Sequence, residues 1–170
     1  MDGGAGITAI LISGLVAAVV FDCSESRIPN WLIICLAVVG IVLHTWMGHL
    51  GGLLQALAGL LVGLLCFLPF YMFGAMGAGD VKLLAAVGVL IGPAQVAFAA
   101  ILTVIAGGVI ALIYITVRGG LLQMIRRYRS MLMSLATMQP RYIPPAPGEA
   151  AGLRFPYALA IACGTALAVI

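Results

Sequence analysis

Two aspartates stand out in a chain that otherwise avoids charge. Asp80 follows a run of small residues in Gly74-Ala75-Met76-Gly77-Ala78-Gly79-Asp80-Val81-Lys82, and Asp22 opens Asp22-Cys23-Ser24-Glu25-Ser26-Arg27-Ile28-Pro29-Asn30. Each lies at the end of a long apolar run, and an ionisable group at membrane depth is costly enough to point to function. Two carboxylates close together in low dielectric do not both ionise comfortably. They share a proton, so identical side chains become one base and one acid. The base draws a proton from water, and the acid polarises and then protonates a scissile amide. This is aspartic-protease chemistry, and it calls for no metal or organic cofactor. No serine has a histidine partner at readable spacing, and His44 and His49 fall near the opposite face.

Each of these residues also has a plainer role to set against the functional one. Asp80 suits the N-cap of a helix starting at Val81, and Asp22 a boundary residue paired with Arg27. Glu25 reads as a solvated loop charge. Lys82 suits either a headgroup anchor or a group that tunes the two acids. Gly77 and Gly79 fit a turn with positive φ or a close backbone approach by substrate, with helix–helix packing of small residues as the alternative.

Composition decides where this chemistry takes place. Of 170 residues, 64% are apolar and only 8% are charged, and the mean hydropathy is +1.25. A soluble domain carries about a quarter charged residues, so the chain reads as an all-α polytopic membrane protein folded as a single domain over 1–170. Cys23, Cys35, Cys66 and Cys163 are scattered, never at C-x-x-C spacing, which leaves a zinc site or redox dithiol unsupported. The net charge of +3 arises from membrane topology and gives no argument for nucleic acid. The N-terminus has no basic n-region, so no cleavable signal peptide is expected.

Spans of about 20 apolar residues are needed to cross a hydrocarbon core of about 30 Å. Six are expected, over about 4–21, 31–47, 53–73, 81–92, 94–117 and 155–170. Trp31 and Trp46 mark the ends of the second, a turn at His49-Leu50-Gly51-Gly52 separates it from the third, and Pro69 is expected to bend the third. The fourth is short: its helix covers only roughly 18 Å before Pro93. That shortness places Asp80 below the membrane surface, where irregular backbone is tolerated only when packed in protein or lining a wet cavity. Residues 118–154 form the one sizeable polar stretch, expected to begin as a basic helix lying on an anionic cytoplasmic leaflet and to continue as a proline-rich linker. All eight Lys and Arg residues fall in the first, third and fifth loops. The positive-inside rule then puts both termini outside, and both aspartates on the cytoplasmic side.

Gly77-Ala78-Gly79-Asp80-Val81-Lys82-Leu83 resembles the GxGD motif of intramembrane aspartic proteases, in the form typical of type IV prepilin peptidases. Asp22 with Arg27-Ile28-Pro29-Asn30 looks like that family's first catalytic aspartate and the IPN after it, and Phe155-Pro156-Tyr157-Ala158-Leu159-Ala160-Ile161-Ala162 is similar to its late P-Y segment. The resemblance implies that Asp22 and Asp80 are the catalytic pair, with Gly77, Gly79, Lys82, Pro29, Asn30, Pro156 and Tyr157 shaping the site or binding substrate. It implies pilin-like precursors as substrates, cut after a glycine that joins a short basic leader to a hydrophobic helix, and residence in the bacterial inner membrane. Larger members carry a cytoplasmic region with paired C-x-x-C motifs that methylates the new N-terminus. This chain lacks those motifs, so methylation is not expected, and its small size resembles the peptidases of tight-adherence (Flp) pilus systems. Preflagellin peptidases and other GxGD proteases share the central motif. A small transporter whose buried acids carry protons or cations is the competing class, although such a path calls for charge nearer the midplane.

Overall fold

The computed structural model describes residues 3–25, 27–72, 76–117 and 157–169, and the fold among them is all-helical. Among the described residues there are five helices: α1 (Gly3–Glu25), α2 (Asn30–Met72), α3 (Ala78–Ile91), α4 (Pro93–Val117) and α5 (Tyr157–Val169). The basic interfacial helix and linker expected over 118–154, and Pro156, lie outside the described residues. The chain divides into two units, residues 1–107 with 156–170, and residues 108–155. Within the second unit, the described residues are the end of α4.

Among the described residues, three helices are long and apolar enough to cross a membrane, over Gly6–Glu25, Asn30–Met72 and Pro93–Ile113. Along α1, Ile12, Val16 and Val20 repeat every four residues and are all more than half exposed. Such a stripe would be costly in water and is well placed in lipid. The 43 residues of α2 would make a rod of about 65 Å, about twice a hydrocarbon core. The chain breaks that length at a single residue, His49, whose φ of 49° and ψ of −131° lie outside the helical range. The turn expected over residues 49–52 is thus one residue, and the non-helical position in α2 is His49, not Pro69.

The two arms of α2 hold α3 between them. On the first arm, Gly40 faces Val89 and Leu90, and Lys82 reaches Asn30, so that arm runs parallel to α3. On the second, Gly59 meets Gly88 and Gly63 meets Leu84, so that arm runs antiparallel. A Cβ on Gly59 would collide with the carbonyl oxygen of Gly88, and one on Gly88 with that of Gly59. Small residues let these backbones touch, which is how helices gain packing where lipid offers no hydrophobic drive. As a result α3 is buried from Leu83 to Leu90, with Val81 ahead of them and Lys82 exposed.

Helix ends differ from the expected ones in a way that bears on the aspartates. The first helix runs on through Asp22 to Glu25, so both carboxylates belong to its last turn, and Glu25 is an exposed helical residue, not a loop charge. The third starts at Ala78, with Gly77 as its N-cap. Asp80 is therefore the third helical residue, not the cap before Val81. The physical reason is that the apolar run ends before the hydrogen-bonded ladder does.

Candidate active site

Asp80 stands in the first turn of α3, ahead of the apolar run that begins at Val81. Its Oδ2 accepts the backbone N–H of Gly77 at 3.1 Å, one half of the capping-box arrangement at a helix start. This close return needs a glycine: a Cβ at Gly77 would lie 3.2 Å from that Oδ2. Gly77 has φ −76° and ψ 152°, ordinary extended backbone, and among the described glycines the positive φ belongs to Gly92. Of the readings offered for Gly77 and Gly79, positive φ does not apply to either, and the close approach at Gly77 is by the Asp80 side chain. At Gly79 a Cβ would touch Ile28 at 3.6–3.8 Å, so the packing partner is the Ile28-Pro29-Asn30 corner.

Asp22 comes from the other direction, on the last turn of α1. Its Oδ2 accepts the backbone N–H of Ala158 at 3.0 Å, a bond between residues 136 apart in sequence. The two acids meet electrostatically. Burial pushes the Asp80 carboxyl up from 3.8 to about 6, the charge of Asp22 works in the same direction, and the Gly77 N–H works the other way. Two carboxylates brought within each other's field, one of them keeping its proton up to about pH 6, form an arrangement that can supply an acid and a base together.

Most of the other expected residues are placed by contacts of their own, and Pro156 lies outside the described residues. Lys82 Nζ donates to Asn30 Oδ1 at 3.2 Å, tying α3 to the start of α2, so Lys82 holds the corner after Pro29. Leu32 N–H bonds to the Pro29 carbonyl at 3.2 Å, and Phe21 and Trp31 meet edge to face with centroids 6.0 Å apart. Tyr157 lies within the electrostatic reach of Asp80, with its ring edge to face against buried Phe67, centroids 6.5 Å apart. Its hydroxyl fills the space a side chain at Gly107 would need.

Sequence reasoning missed Ala158, Phe67, Ile28 and Gly107. Ile28 lies inside the Arg27-Ile28-Pro29-Asn30 motif, and its apolar type beside a glycine-rich partner was the available signal. Ala158 contributes only its backbone, which no residue type reveals. His44 Nε2 lies 3.0 Å from the Leu90 carbonyl at the far end of α3, away from the acids.

A sequence model described as the type IV leader peptidase family matches residues 9–112 of the chain. That match covers more than half of the chain and contains both aspartates, the Ile28-Pro29-Asn30 corner and Lys82. No curated protein and no solved structure matches the chain.

Proposed function

Since the chain belongs to the type IV leader peptidase family, whose members are peptidases acting on prepilin-type substrates, we propose that it cleaves as an aspartic endopeptidase, with Asp22 and Asp80 as the catalytic pair. The observation that carries this reading is the pairing itself: a carboxyl raised to about 6 by burial and by the charge of Asp22. Asp22 serves as the base that takes a proton from the attacking water. Asp80, carrying the shared proton, polarises the scissile carbonyl and then protonates the departing amine. The new bond joins water oxygen to the carbonyl carbon, and the carbon–nitrogen bond breaks as the leaving nitrogen receives its proton.

The substrate is a prepilin or pseudopilin of the Flp kind, cut after the glycine between a basic leader and a hydrophobic helix, without methylation of the product. The enzyme is a multi-pass protein of the bacterial inner membrane, with both termini outside and the acids near the cytoplasmic face. The exposed Glu25 and the two aspartates give that rim an acidic character suited to a basic leader. Gly77, Gly79, Lys82, Pro29, Asn30 and Tyr157 shape the site.

The test is cleavage of a precursor by the purified chain in liposomes. Wild type should release the leader, and Asp22→Asn and Asp80→Asn should each leave the precursor intact, because asparagine keeps shape but neither accepts nor shares an acidic proton. An intact precursor with wild type, or normal cleavage by either variant, sinks the proposal.

A further inference from the structure

Asp22 is placed awkwardly by its own helix. It lies in the last turn of α1, which ends at Glu25, where the unpaired carbonyls present the negative end of the helix dipole. The Ser24 hydroxyl in the same turn donates to the Val20 carbonyl at 2.7 Å, not to the carboxylate. The bond that holds it comes from far away in sequence: Ala158 N–H, at 3.0 Å. Ala158 is the second residue of α5 (Tyr157–Val169), so its N–H is one of the first-turn donors that have no partner within their own helix. The positive end of α5 thus meets the carboxylate that the negative end of α1 disfavours. Ala158, Ala160 and Ile161 are fully buried, so this end of α5 is fixed by packing before the hydrogen bond is counted.

We infer that the Ala158 N–H acts as the positioning group that holds Asp22 in its productive orientation, so that α5 serves the site through its backbone and not only through Tyr157. The Ala158 N–H bonds Asp22 Oδ2 and acts on the reaction only through that carboxylate. The inference rests on the proposed catalytic pair. Without the bond, the Asp22 carboxylate is free to turn toward other donors or water, and a base displaced by a fraction of an ångström loses rate more than binding. A bond from N–H to a charged acceptor is among the stronger kinds, so its removal should lower kcat about tenfold to a hundredfold while leaving KM within about twofold.

An amide-to-ester replacement tests this without changing the side chain. Replacing Ala158 by lactic acid through nonsense suppression removes the N–H alone. The same replacement at Leu159, by leucic acid, perturbs the same helical turn but spares the bond to Asp22. The expected result is a kcat loss at 158 with KM unchanged, and near-normal turnover at 159. Equal turnover by the two esters overturns the inference while wild-type cleavage keeps the protease reading intact.

A second measurement needs no activity and no ester. Asp22→Asn keeps an acceptor for Ala158 N–H, whereas Asp22→Leu has none. Hydrogen exchange of the peptide spanning Tyr157 to Cys163 should be faster in Asp22→Leu than in Asp22→Asn, by about tenfold at the Ala158 amide. Identical exchange in the two variants overturns the inference, whatever the precursor assay gives.

Discussion

Replacing Asp80 by asparagine should stabilise the fold at neutral pH while it abolishes cleavage. The folded protein keeps the Asp80 carboxyl protonated up to about 6, against 3.8 for the unfolded chain. Between those values the folded state holds a proton that the unfolded state has released, so stability falls as pH rises through the window and is level above it. At about 1.36 kcal/mol per pH unit, the ionised carboxylate costs the fold about 3 kcal/mol at pH 7. The asparagine side chain carries no charge at any pH and retains an oxygen for the Gly77 N–H, so the helix start is not weakened. Thermal unfolding in detergent, followed by the fluorescence of Trp31 and Trp46, would measure this from about pH 4 to about pH 8. Wild type should melt lower as pH rises, the variant should stay level, and at neutral pH the variant should melt roughly 5–10 °C higher. A carboxylate present only to cap α3 would do the reverse, since its ionised form favours the helix N-terminus. Parallel curves for the two proteins, or a wild type that gains stability with pH, would refute the reasoning.

Other substitutions separate close approach from mere proximity. Gly77→Ala puts a Cβ 3.2 Å from Asp80 Oδ2 and should lower kcat on the order of tenfold by displacing that oxygen, with melting nearly unchanged. Gly79→Ala, whose Cβ finds ordinary contact with Ile28, should cleave within about twofold of wild type and melt slightly higher, as alanine favours helix. Gly107→Ala should drive the Tyr157 hydroxyl from its place, costing about 1–3 kcal/mol of stability in thermal unfolding and lowering turnover in the precursor assay. Lys82→Met removes only an exposed bond to Asn30; its thermal cost should stay within about 1 kcal/mol, so a large loss of cleavage there would mark a role in the site itself.

Much of this was legible in the sequence because charge is so rare in it. Asp22 and Asp80 could be picked out because, although each alone has a plainer reading, the two stand beside apolar runs on the same side of the expected topology. Helix ends were less legible. Hydropathy marks where side chains stop being apolar, whereas the helix ends where its hydrogen bonds end, and at both Asp22 and Asp80 the ladder outlasts the apolar run. The reversal at His49 was legible as a turn and only its length was not: a glycine-rich tetrapeptide suggested a loop, but one residue outside helical φ/ψ suffices. The Ala158 donor was hidden altogether, because every residue but proline carries the same N–H and only tertiary packing decides which one faces a carboxylate.

What unites the site is that it is assembled from helix termini. The last turn of α1 brings Asp22, the start of α2 brings Asn30, and the first turns of α3 and α5 bring Asp80 and Ala158. Helix starts carry unpaired N–H groups, and both aspartates use one, from Gly77 and from Ala158. Hydrolysis in a membrane needs water, charge and exposed backbone donors at one place, and helix ends are where an apolar bundle can provide all of these. A proton or cation path would need polar groups continuing along α3. Instead that helix is buried from Leu83 to Leu90, its backbone in contact with the second arm of α2 at Gly59 and Gly88. The polar contact at its far end is His44 on the Leu90 carbonyl. Among the described residues, nothing on α3 links that contact to Asp80, so packed helix follows that acid, which suits a reaction more than a route.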